Sequence, residues 1–196
     1  GKAPRGLTFI ESRADFERLA RGEGDMPSGV VGIAQAHTTI QYNRPGTGSK
    51  ADDPLNENVP SLATMARAAI NVLSRNPDGF VLMVEGGAVD WANHDNRFAR
   101  MLDEQVDFNH AVAAVVEWIE ANGGWDETLL IVTSDHDCGM PWGPNTYADV
   151  DGNGKFDPKT DKFRNWNPVE NRGKGQLPGY QYASRNHSNV FVPLWA

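Results

Sequence analysis

The stretch Gly79-Phe80-Val81-Leu82-Met83-Val84-Glu85-Gly86-Gly87-Ala88-Val89-Asp90, with His94 four residues further on, decides the fold. An apolar run ends abruptly in a carboxylate, two glycines and a second acid. Thr128-Leu129-Leu130-Ile131-Val132-Thr133-Ser134-Asp135-His136 has the same shape. A third apolar run, Val190-Phe191-Val192-Pro193-Leu194-Trp195, follows His187. An uninterrupted apolar run suits a parallel strand covered on both faces. In an open α/β sheet, ligands bind in the crevice beyond the carboxyl ends of the strands. Oxygen and nitrogen donors gathered there suit a zinc-type metal centre.

The surrounding text supports alternating strands and helices. Residues 7–10 and 30–34 read as strands, and 15–21 as a helix. Residues 35–59 are polar and rich in Gly, Pro and Asn, hence a loop. Pro60 suits the first turn of a helix reaching about residue 75, with Leu62, Met65, Ala66, Ala69, Ile70 and Leu73 on one face. A long helix is expected over 97–122, its stripe made by Phe98, Met101, Leu102, Gln105, Phe108, Val112, Val115, Val116 and Ile119. Flanked by strands at 80–84 and 129–133, it completes a βαβ unit. Residues 139–185 keep no period and carry many Gly, Pro, Asn and Trp, as an inserted subdomain would.

Composition narrows the function. A chain of 196 residues is long enough for one domain with a real core. The net charge of -8 argues against nucleic acid or an anionic membrane as ligand. Bound cations can still invert the local field for an anionic substrate. With one cysteine, Cys138, no internal disulfide can form.

Asp90 and His94 share a face if the segment after the strand turns helical. Glu85, across the Gly86-Gly87 bend, could share their ion or hold a neighbouring one. Asp135 and His136 could both turn towards one centre from a loose strand end. The pattern Val-Glu-Gly-Gly-x-x-Asp-x-x-x-His, then Asp-His, then a distant His, resembles the alkaline phosphatases. The likeness also takes in Arg44-Pro45, Leu62-Ala63-Thr64-Met65 and Asn76-Pro77-Asp78-Gly79-Phe80.

That resemblance implies an α/β fold, a mixed, largely parallel sheet with helices on both faces. It implies two zinc ions and one magnesium. Asp90, His94 and His187 match ligands of the first zinc, Asp135 and His136 two ligands of the second, and Glu85 a magnesium ligand. It implies hydrolysis of phosphate monoesters through a phosphoserine or phosphothreonine, in the periplasm or after secretion. A homodimer is compatible with it.

The family's Ser or Thr nucleophile, an early metal-bridging Asp and the phosphate-gripping Arg find no match here. Residues 1–196 are therefore expected to be the C-terminal part of one catalytic domain, inactive alone, with an irregular insertion at about 139–186. The missing N-terminal part is the expected partner. Ser134 lies within a strand and is not read as a nucleophile. A phosphodiesterase or sulfatase of the same superfamily is one rival. A non-catalytic metal-stabilised binding module is the other.

Asp149, Asp151, Asn153 and Asp157 fall at positions 1, 3, 5 and 9 of an EF-hand-like loop, with Lys155 at the carbonyl position 7. Calcium is favoured there, with Thr160 where a Glu is expected and Asp161 one step late. Cys138 reads as a buried or supporting thiol, and Asp137 as a group that orients a ligand or a water. His37 and His110 read as ordinary surface or packing residues. Trp142, Trp166, Tyr180 and Tyr182 read as packing of the insertion. Arg164, Arg172, Lys174 and Arg185 read as a solvated basic patch.

Overall fold

Ser12 opens the first helix. Its Oγ accepts from the Asp15 N–H at 3.2 Å, the cap a helix start needs. In the computed structural model, which describes residues 6–37, 41–48, 53–153, 156–157 and 159–196, that helix is α1 (Arg13–Ala20). It follows β1 (Thr8–Ile10) and precedes β2 (Val30–Gly32). The two strands pair in parallel, Phe9 opposite Val31. Ser61 caps α2 (Leu62–Leu73) in the same way.

The chain divides into two compact units. The first holds residues 1–46, 54–88 and 103–130. Its core is Ile10, Phe16, Leu19 and Ala68, with Met26, Val30 and Met65 packed against it. Burying a side chain such as Leu19 stabilises by roughly 1.5–3 kcal/mol. Asn71 of α2 donates to the carbonyls of Leu19 and Ala20 at 2.8 and 2.9 Å. These bonds satisfy acceptors that the end of α1 leaves open.

The second unit holds residues 47–53, 89–102 and 131–196. Nearly all of α3 (Ala88–His94) and the start of α4 (Phe98–Ala121) belong to it. Its strands are short and antiparallel. β3 (Val132–Thr133) pairs with β8 (Leu194–Trp195). Between them, β4 (Pro141–Trp142) pairs with β7 (Gln181–Tyr182), and β5 (Tyr147–Ala148) with β6 (Lys162–Phe163). The aperiodic insertion is thus nested hairpins with long irregular turns.

Two expectations need correction. Residues 80–84 form no strand among the described residues, so the expected βαβ unit is not formed. Val81 is 96% and Met83 83% exposed. An extended apolar run becomes a strand only where a neighbour supplies the other half of the ladder, and no described residue does so here. The same holds for Leu129 and Ile131, both exposed ahead of β3. The long helix forms as expected, but its buried set differs. Phe98 and Ile119 are buried as expected, joined by Ala99, Arg100, Glu104, Ala111 and Ala114.

The buried polar residues of α4 are held within their own units. Arg100 donates to Asp53 at 3.0 Å in the second unit. In the first, Arg44 donates to Asp103 at 2.6 Å, and the Asp107 carboxylate accepts the Leu62 N–H at 3.0 Å. Glu104, between Asp103 and Asp107, is buried with an Oε1 that has no hydrogen-bond partner. Burial pushes its carboxyl up to about 7; the Tyr42 main chain opposes this, Asp107 adds to it, and Arg44 and Asp103 act in opposite senses.

The native chain therefore holds a proton that the unfolded chain releases near 4.5. Stability should fall as pH rises from about 4.5 to about 7. Glu104→Gln should flatten that slope. It should gain on the order of 1–3 kcal/mol at about pH 8 and nothing at about pH 4. Melting curves across pH test this; identical slopes in both forms would refute it.

Candidate metal centre

The helix α3 brings Asp90 and His94 onto one face, one turn apart, as their spacing requires. His94 Nε2 lies 3.4 Å from Asp90 Oδ2. Its Nδ1 lies 2.5 Å from the Arg185 carbonyl oxygen. A carbonyl only accepts, so Nδ1 carries the proton and Nε2 keeps a free lone pair. His187 reaches the same point from the far end of the second unit. Its Nε2 is 2.9 Å from His94 Nε2 and 3.1 Å from Asp90 Oδ1.

Cys138 completes the group. Its Sγ lies with the donor atoms of Asp90, His94 and His187, all within 4.8 Å of one another. The thiol donates to the Asp90 main-chain oxygen at 3.6 Å. Burial first, then the hydrogen bond and charge of Asp90, pushes it up to about 12. The donor set fits a divalent cation of the zinc type. Donors around a tetrahedral ion at about 2.0–2.1 Å sit roughly 3.3 Å apart. The Asp90, His94 and His187 separations of 2.9, 3.1 and 3.4 Å bracket that value.

A second pair lies alongside. His136 Nδ1 faces its neighbour's carbonyl, Asp137 O, at 3.1 Å. This again directs the proton to Nδ1 and leaves Nε2 as the donor atom, 3.2 Å from Asp135 Oδ2. The His136 ring stacks on His187 with centroids 3.4 Å apart. The Asp135 side chain is 85% exposed. Glu85 belongs to the first unit and is exposed. The Ser134 hydroxyl donates to the His136 carbonyl at 2.6 Å.

Several local contacts hold this arrangement. Arg185 Nε donates to the His94 carbonyl at 2.9 Å, and its NH2 group to Asp95 at 3.2 Å. Arg185 is thus bonded to the end of α3 while its side chain remains exposed, as its surface reading expected. Tyr182 donates its hydroxyl to Asn93 Oδ1 at 2.7 Å, both residues buried. Burial also raises the Tyr182 phenol above its ordinary range. Gly139 has φ +77°, and a Cβ there would lie 3.0 Å from the Asn93 carbonyl. Only glycine lets the chain after Cys138 pass this close to α3.

A separate carboxylate group forms in the insertion. Asp149, Asp151 and Asp161 each offer an oxygen, all within 4.8 Å. Asp161 also accepts from the Val150 and Asp157 N–H groups, each at 2.8 Å. Asp157 Oδ1 accepts the Lys159 N–H at 2.8 Å, and Asn153 Nδ2 donates to Asp151 at 2.6 Å. Asp161, not Thr160, therefore closes the loop. Lys155 lies outside the described residues. His37 and His110 are exposed, as ordinary surface residues are.

Residues 5–171 match the alkaline phosphatase family. The chain belongs to that family. It is 36% identical over 144 residues to alkaline phosphatase H of Pseudomonas aeruginosa, covering 67% of this chain and 29% of that protein. The crystal structure of a cold-active alkaline phosphatase from Shewanella sp. shares the fold at TM-score 0.54 and 28% identity, over 72% of this chain and 31% of that one. A TAB5 alkaline phosphatase variant with Mg bound in its M3 site superposes at TM-score 0.57 and 18% identity, over 96% of this chain and 44% of that one. This chain thus spans less than half the length of each of these three relatives.

Three supporting residues escaped the sequence reading. Ser188 carried no signal, Tyr182 read as packing, and Arg185 as surface. Tyr182→Phe should destabilise by about 1–3 kcal/mol, because it leaves the buried Asn93 oxygen unpaired. Urea denaturation measures this; an unchanged midpoint would show that Asn93 finds another donor.

Proposed function

We propose that this chain supplies most of the metal ligands of a phosphomonoesterase. Asp90, His94 and His187 hold one zinc ion. Asp135 and His136 contribute to a second, and Glu85 to a magnesium. The convergence of three donor groups within 3.4 Å carries this reading, together with membership of the family.

Cations held there would neutralise a phosphoryl dianion and stabilise the attacking and leaving oxygens. The chain's own residues fix where those charges sit. Asp90 and Asp135 bring the negative charge that retains the ions. His94 and His136 present unprotonated Nε2 atoms because main-chain carbonyls hold their Nδ1 protons. The serine or threonine that forms the covalent intermediate belongs to a part of the enzyme other than residues 1–196. These residues form the C-terminal part of one catalytic domain, whose sheet is mixed and largely parallel, with helices on both faces. Its setting is the periplasm or the secreted medium.

The test uses full-length enzyme and a chromogenic phosphate monoester beside a diester. Monoester turnover should dominate and disappear with a chelator. Asp90→Asn and His187→Ala should each lower the rate by more than the roughly 10–100-fold that loss of a supporting residue costs. Preference for the diester would favour the rival hydrolases. Unchanged rates in both variants would favour a binding module. Residues 1–196 alone should release no phosphate.

We also propose that the loop of Asp149, Asp151, Asn153, Lys155 and Asp157 holds calcium, with Asp161 as an added ligand. Three clustered carboxylates repel one another, and a hard cation relieves that. Calcium should raise the melting temperature of the chain, and Asp151→Asn should abolish the rise. Calorimetric titration without detectable heat would refute this site.

A further inference from the structure

We infer that Asp137 is a positioning residue that ties His136 and His187 into one frame. The two imidazoles come from chain positions 51 residues apart. Asp137 bonds to both segments, at His136 and at Ser188. Its main-chain oxygen faces His136 Nδ1 at 3.1 Å. Its Oδ1 accepts from the Ser188 N–H at 2.9 Å and the Ser188 hydroxyl at 2.6 Å. Ser188 directly follows His187, so the carboxylate grips the chain at the base of that imidazole.

The grip extends on both sides. Cys138 and His187 form a β-bridge one residue along. The Ser188 hydroxyl also accepts from the Val190 N–H at 3.3 Å, which fixes the path towards β8. A carboxylate holding two donors of one residue makes charge-assisted bonds, stronger than neutral ones. Its Oδ1 is turned towards Ser188, and Asp137 is not among the grouped donors of Asp90, His94, Cys138 and His187. It therefore acts through the ligands rather than as one of them.

This rests on the reading that His136 and His187 bind metal. Zinc affinity of the full-length enzyme, measured by competition with a chromophoric chelator, tests it. Asp137→Ala should weaken binding about 10–100-fold. Asp137→Asn keeps an acceptor oxygen and should restore most of the loss. Ser188→Ala keeps the main-chain bond and should lose less than Asp137→Ala. The double variant should lose no more than Asp137→Ala alone, since the hydroxyl then has no carboxylate to hold.

Melting of the zinc-free chain separates positioning from mere structure. A fall in zinc-free stability that accounts for the whole loss of affinity would overturn the inference. So would unchanged affinity in Asp137→Ala, or additive losses in the double variant. If Asp137→Ala does not fold, Asp137→Asn and Ser188→Ala decide: Ser188→Ala with wild-type affinity overturns the inference. Full-length wild-type enzyme that binds no zinc would instead refute the metal reading itself.

Discussion

His94 and His187 hold their Nε2 atoms 2.9 Å apart, with the Asp90 carboxylate at 3.1 and 3.4 Å. Three electron-rich groups at such range must be held from behind. The hydrogen bonds around them do this. Arg185 takes the His94 Nδ1 proton on its carbonyl and returns its guanidinium to the His94 oxygen. Cys138 bridges to His187 and donates to Asp90. Tyr182 anchors the residue before His94. The Cys138–Asp90 bond joins the segment after β3 to α3, and each of the others joins α3 or that segment to the returning chain at 182–188. The hairpin β4–β7 brings those segments side by side.

This explains the composition of the second unit. Its ladders are two residues long, too short to be stable alone. Side-chain bonds and ring contacts take up part of the work. Phe98 stacks on Tyr180, which meets Tyr182 edge-on. Trp142 lies against Trp166, and Phe163 against Trp166. Aromatic pairs of this kind each add about 0.5–1.5 kcal/mol beyond the area they bury. A unit with little sheet can in this way still fix a handful of polar atoms.

What was legible in the sequence follows from the range of each interaction. Asp90 and His94 sit one helical turn apart, so local spacing sufficed. His187 pairs with residues far away in the chain, and only the family pattern marked it. Glu104 and Arg100 lie outside the apolar stripe read from the sequence, since charged residues are rarely buried. Arg100 pairs with Asp53 and Glu104 meets the Tyr42 main chain, partners that no helical period reveals. Residues 80–84 failed in the opposite sense. Their apolar character marks a surface suited to cover, while strand formation needs a neighbouring ladder that no described residue provides.

Charge balance links the site to its proposed chemistry. The chain carries a net charge of -8, and Asp90, Asp135 and Asp137 put carboxylates among or beside the proposed metal ligands. One carboxylate about 4 Å from a single negative charge costs about 4 kcal/mol at an effective dielectric near 20, and a dianion doubles that. No phosphate monoester could rest there against unbalanced carboxylates. The two zinc ions and one magnesium proposed would bring six positive charges. Asp90, Asp135 and Glu85 would cancel three of them, and neutral imidazoles would cancel none. The positive excess would attract a phosphoryl dianion. That arithmetic favours histidine over further acids as the remaining ligands, and it leaves Asp137 best turned away, towards Ser188, where its charge meets two hydrogen-bond donors instead of the substrate.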